Sequence, residues 1–437
     1  MRWQRKHAWL AAIGLAVSLG GCESLGRGVA QAVLAGGGEA GPDTRMCEGE
    51  GVPVGGIEPL LAKLDDLPPI TEGDTARPQV KVVYVHGIGT HEVGHGAALV
   101  NNLSKSLGLD VRAPRTKRIV LSSPAFADEP LGEINMTRLS DHNRRRDLIF
   151  YELTWSVITQ PAKDNLAFDR SDLYRERRAS LNQAMRTFVN DVAPDPIAYA
   201  GAKRQQILTA VGQTMCWALS KSWSELPAET TGQSCQSDTP GFGSRVSIDE
   251  LAFITHSLGS RATLDGLERI ARGLPNIDHR YDPVADALRT RDIQVFMLSN
   301  QLPLLEAGEE PQDAVGTAAD FCGPSATRGN ERFVNSLSAV AFSDPNDLMS
   351  YPVPLDWAEK YIDPRLCPKL TNIDINVANV SSVLGVGDAA NPLAAHTGYA
   401  SDERVGGILA RGIGHPDVAP VVNERCAWRA TDDALMH

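Results

Sequence analysis

Three stretches of the chain carry residue types that do chemistry. The first is His91-Glu92-Val93-Gly94-His95, two imidazoles four residues apart with a carboxylate between them. On a helix this spacing stacks both rings on one face, where they can ligate Zn²⁺ while Glu92 serves as general base. The second is Thr255-His256-Ser257-Leu258-Gly259-Ser260, a serine flanked by small residues. A serine hydroxyl becomes a nucleophile when an imidazole takes its proton. The third is a pair of later loops, Asp344-Pro345-Asn346-Asp347 and the segment ending in His396, which offer a carboxylate and an imidazole.

The zinc reading is the weaker one. Gly89, Gly94 and Gly96 surround the two histidines and weaken a helix where it is needed. The extended form of the pattern requires Gly at 98 and His at 101, where the chain has Ala98 and Asn101. HEVGH is expected to be loop and first helical turn beside a site mouth, with no metal and no cofactor.

The serine needs elements to hold it. VKVVYV (80–85) is a short β-branched run followed by Gly, as in a strand buried on both faces. Similar runs recur near 118, at 147–155, 248–255, 292–300, 336–343 and 372–380, with helical stretches between several of them. That alternation predicts an α/β fold, a mostly parallel central sheet covered by helices on both faces. Residues 160–245 interrupt the rhythm with two expected helices. In the second, Ile207, Val211, Met215 and Leu219 form one apolar stripe. The stripe reads as ordinary core, or as the underside of a cap that contacts acyl chains.

The 248–255 strand runs into Ser257 and directly on into a helical pattern. This resembles the nucleophile elbow G-x-S-x-G of α/β-hydrolases, with Gly259 kept and Thr255 in place of the first glycine. His86-Gly87 after the first sheet strand resembles the oxyanion loop of lipases and esterases. The resemblance assigns the backbone N–H groups of Ile88 and Leu258 to an oxyanion hole, typically worth 10²–10³-fold per donor, with His86 a structural support. The family's chain order is Ser, acid, His. It makes Ser257 the nucleophile, His396 the general base and Asp347 the acid, with Asp344 as the alternative acid. His415 and the terminal His437 also follow the acid, but His396 lies nearer the last strand.

The N-terminus adds an address. A basic MRWQRKH segment, an apolar stretch of about a dozen residues and Leu19-Gly20-Gly21-Cys22 resemble the signal and lipobox of bacterial lipoproteins. The resemblance implies cleavage after residue 21, a lipid on Cys22 and, from Glu23, passage to the outer membrane. Residues 22–78, rich in Gly and Pro, are expected to be a flexible tether, and 79–437 the hydrolase domain with its insertion. Six cysteines remain after Cys22, an even number that predicts up to three disulfides, Cys216–Cys235 foremost by proximity. The net charge of −12 argues against nucleic acid. The sequence reads as a lipid-anchored serine hydrolase of carboxylic or acyl-lipid esters, leaving oligomeric state open. A non-catalytic envelope lipoprotein and a zinc metallopeptidase are the alternatives.

Overall fold

The computed structural model describes residues 45–169, 177–235, 241–277, 282–308, 315–383 and 387–430. Thirteen strands lie among them: β1 (Cys47–Gly51), β2 (Val80–Val85), β3 (Asp110–Leu121), β4 (Glu133–Ser140), β5 (Asp147–Thr154), β6 (Glu229–Gln233), β7 (Glu250–His256), β8 (Asp292–Leu298), β9 (Ser336–Ser343), β10 (Pro368–Ile375), β11 (Val380–Val383), β12 (Gly387–Ala390) and β13 (Cys426–Ala430). Eleven form one sheet in the order β13-β1-β10-β9-β8-β7-β2-β5-β4-β3-β6, and β11 pairs β12 separately. The six strands from β5 to β10 in that order are parallel. The flanks depart from this: β4 runs antiparallel to both neighbours, and β1 runs antiparallel to β10. The protein is α/β with a mixed sheet, parallel at its centre.

Alternation along β2 shows why the centre is parallel and covered. Val83 and Val85 enter one core with Ile207, Val211 and Leu267, whereas Val80, Val82 and Tyr84 enter the other with Leu99, Leu103 and Ile408. Successive side chains point to opposite faces, so a strand with apolar residues on both needs cover on both, and its one charge, buried Lys81, is met by Asp249. Helix α1 (Ala97–Leu107) supplies part of one cover. It buries Leu99, Val100, Leu103 and Leu107 and stops at left-handed Gly108.

Among the described residues the insertion holds four α-helices rather than two: a short one at Gln160–Asp164, then α2 (Ser180–Val192), α3 (Pro194–Ala200) and α4 (Arg204–Ser220). The Ile207–Leu219 stripe belongs to α4. Its Ile207, Val211 and Met215 pack on β2, β5 and α5 (Leu258–Ile277) as core of the body, while Leu219 is only partly buried. Strand β6, also from the insertion, extends the edge of the sheet.

A second correction concerns the tether. Residues 45–78 are not a spacer: β1 pairs β10 and β13, and Glu58–Ala62 is a short helix. The strand CEGEG lacks an apolar pattern because backbone pairing and a disulfide hold it. The signal, Cys22 and residues up to 44 lie outside the described residues.

The three disulfides are Cys47–Cys426, Cys216–Cys235 and Cys322–Cys367. Three such bridges point to an oxidising, exported environment. Among the described residues, no helix is long and apolar enough to cross a membrane.

Candidate functional site

Parallel strands aim their carboxyl ends at one rim of the sheet, and every candidate residue but Cys22 sits there. Ser257 follows β7 directly and holds φ of 55°, a left-handed conformation for a residue with a side chain. Such backbone costs about 1–3 kcal/mol and persists only where the surroundings impose it. Its neighbours show the constraint. A Cβ on Gly259 would meet the Val85 carbonyl oxygen at 2.3 Å, and one on Gly87 would meet the Ser257 Cβ at 2.5 Å. Thr255 stands at the position of the first small residue, and its Oγ1 shares a hydrogen bond with Ser260 Oγ at 2.9 Å.

His396 lies in a short helix, α7 after the intervening α6 (Asp282–Arg289), spanning Pro392–Thr397. Its Nδ1 is 2.9 and 3.1 Å from the two Asp347 carboxylate oxygens. Burial pushes the Asp347 carboxyl up, but the hydrogen bond and charge of His396, with the Ser299 hydroxyl, hold it below the usual carboxylate range. Asp344 faces elsewhere. One of its oxygens accepts the Val377 and Ala378 N–H groups, and the other accepts from Asn346. Of the two carboxylates, the loop turns Asp347 to the imidazole and uses Asp344 to tie itself to the end of β10.

Ser257 Oγ and His396 Nε2 are both buried, and neither has a hydrogen-bond partner. The two are therefore not bonded to each other here, a looseness common in sites without substrate. The chain links them indirectly: His256 Nε2 donates to the His396 carbonyl oxygen at 2.8 Å. Burial, and then the neighbouring His396, lower the His256 pKa to about 3. It stays a neutral donor.

The loop after β2 carries the oxyanion candidates. Neither the Ile88 nor the Leu258 N–H has a backbone acceptor among the described residues. Beneath them, His86 Nε2 accepts the Trp155 N–H at 3.0 Å, which puts its proton on Nδ1, 2.8 Å from the Gly87 oxygen. Its ring stacks on Trp155 at 4.8 Å. His86 is thus a wall post, held neutral by burial first and by nearby His91 and His95 second.

Within HEVGH, residues 93–96 form a turn and Gly94 has φ of 88°, so the two histidines share no helical face. His91 Nε2 bonds the Ile88 oxygen, His95 Nδ1 meets Glu92 and Glu152, and the Glu92 side chain is exposed. Among the described residues no group of three His, Cys, Asp or Glu side chains converges to hold a metal.

Several residues at this rim escaped sequence reasoning. Ser299, at the end of β8 with φ of 50°, places its Oγ 2.7 Å from both Asp347 Oδ2 and His396 Nδ1. Asp195 accepts the Gly89 N–H at 2.6 Å, and Asp191 accepts the Thr90 N–H and hydroxyl. Lys163 pairs with both carboxylates. The insertion thereby grips the loop bearing Ile88. Left-handed serine after a buried strand leaves no mark in sequence; His256 did, standing beside the nucleophile candidate.

Comparisons against family models, curated proteins and solved structures each returned no match to this chain.

Proposed function

We propose that the chain is a serine hydrolase built on an α/β-hydrolase fold, cleaving carboxylic esters and, given its anchor, esters of acyl lipids. The observation that carries this reading is the left-handed Ser257 between β7 and α5, at the rim that holds the His396–Asp347 pair. Ser257 Oγ attacks the ester carbonyl as His396 Nε2 takes its proton. The Ile88 and Leu258 N–H groups hold the oxyanion. Collapse expels the alcohol, which receives the proton from His396, and water then releases the acid from Ser257 by the same steps in reverse.

The anchor reading has support from chain direction. Arg45, the first described residue, pairs with Asp402 and bonds Val377 just past the carboxyl end of β10. A tether from a lipidated Cys22 would leave from the rim that bears Ser257. Met185, Phe188 and Ile197 of the insertion, whose Asp191 and Asp195 hold the Ile88 loop, and Leu348 beside Asp347 are exposed apolar side chains. Side chains of this kind suit a lipid surface, in keeping with a place on the envelope and outer membrane.

One observation favours the non-catalytic alternative: Ser257 has no accessible surface, so a substrate reaches it only after its cover moves. A fluorophosphonate probe on the full chain in detergent decides between them. Covalent labelling of Ser257, lost in Ser257→Ala together with ester turnover, supports the hydrolase. An unlabelled Ser257, or turnover unchanged in Ser257→Ala, overturns it.

A further inference from the structure

A cavity of about 260 Å³ lies between the sheet and helices α4, α5 and α6, at the end opposite Ser257. It is a cleft open to solvent on one side, with room for far more than the single water that about 10–15 Å³ holds. Its walls are apolar: Leu219 ends the α4 stripe, Leu251 and Phe253 come from β7, Leu267 and Ile270 from α5, and Ile293 from β8. A slot so lined favours an apolar occupant over water.

The rim is charged, and its charges are unevenly met. Arg289 pairs with Asp286, Arg365 with buried Asp363, and Glu331 with Arg328. Arg365 also lies over the Phe333 ring at 4.3 Å. Arg332 differs: its Nε is buried and has no hydrogen-bond partner. A guanidinium with an unmet donor is suited to a carboxylate, which it can hold through two parallel bonds.

We propose that this cavity binds a single-chain aliphatic carboxylate, its tail between β7 and α5 and its head on Arg332. The site is distinct from Ser257. Phe253 lies four strand residues from it, about 13 Å along β7, and Leu267 lies nine residues beyond Leu258, about 14 Å along α5. The inference does not rest on the hydrolytic reading, since no residue of the Ser257 rim takes part in it.

The test is photolabelling of the full chain with a diazirine-bearing decanoate, mapped by peptide mass spectrometry. Labels should fall on residues 267–270 or 330–334, and excess decanoate should suppress them while decylamine should not. Arg332→Gln should reduce labelling at least tenfold yet spare labelling by the uncharged diazirine decanol. Ile270→Trp, which fills the cavity, should remove both; if that variant does not fold, Arg332→Gln still decides. Labels confined to the neighbourhood of Ile88 and Leu258, or labelling by decanoate unchanged in Arg332→Gln, would overturn the proposal.

Discussion

Exchanging the two neighbouring carboxylates for amides, one at a time, separates the acid of the site from the tie of the loop. In Asp347→Asn the imidazole loses the charge that would stabilise it once protonated. The amide also presents an N–H₂ group where Nδ1–H needs an acceptor. For a triad of this kind such a change costs on the order of 10⁴-fold in kcat, or roughly 5 kcal/mol at 1.36 kcal/mol per decade. Ser299 Oγ is as close to Nδ1 as the carboxylate is, so it can retain the ring's orientation though not the charge. The urea midpoint of Asp347→Asn should therefore change little. Asp344→Asn should show the opposite pattern. Its amide would face the Val377 and Ala378 N–H groups, now accepted by a carboxylate oxygen at 2.7 and 3.0 Å. Each buried group left unpaired costs about 1–3 kcal/mol, so the midpoint should drop while kcat stays within about tenfold, an order-of-magnitude allowance for loop movement. The assay is kcat on a short chromogenic ester beside a urea titration of each variant. If Asp344→Asn loses turnover like the predicted Asp347→Asn while the latter keeps it, the reasoning fails.

Ser299→Ala should lower kcat by about 10-fold or more, roughly one charge-assisted hydrogen bond, and shift the acidic limb of the kcat/KM pH profile; an unchanged profile would make Ser299 merely structural. Gly259→Ala should destabilise by about 1–3 kcal/mol or more, because its Cβ meets backbone oxygens. Gly212→Ala, with nothing within 4 Å, should instead stabilise α4 by roughly 0.5–1 kcal/mol; calorimetric melting points check both. Burial, with neighbouring imidazoles second, lowers His91 and His256 to about 3 from 6.5. The unfolded chain takes up those two protons below about 6.5 and the folded chain does not until about 3. Stability is therefore whole above 6.5 and falls with pH through that window, by up to about 3 kcal/mol per pH unit for the pair. Unfolding free energies at pH 7, 6 and 5 should show the slope, and a flat profile would contradict it. Cys22→Ala should abolish fatty-acid incorporation and release the protein from the membrane fraction, and continued lipid labelling of the variant would refute the lipobox.

Local pattern carries the part of this fold that is readable from the order of residues alone. β2, β5, β7, β8 and β9 are legible because a strand covered on both faces carries a dense β-branched and aromatic run, even where a polar residue such as Lys81 or Glu152 interrupts it. The turn at Ser257 is legible because its crowding admits only small neighbours, which Gly259 shows. β1, β6 and β13 are not: they lie at or beside the edges of the sheet, and backbone bonds to strands distant in sequence hold them in place of an apolar run. Cys47 and Cys426 are 379 residues apart, and proximity in sequence could not suggest that bridge. The choice between Asp344 and Asp347 was open for a similar reason. Both occupy one loop, and only the end of β10, supplying the Val377 and Ala378 N–H groups, turns one inward and leaves the other for His396. Ser299 and Arg332 belong wholly to tertiary structure. Each is an ordinary residue until the fold brings it, from far along the chain, against an imidazole or an apolar cavity.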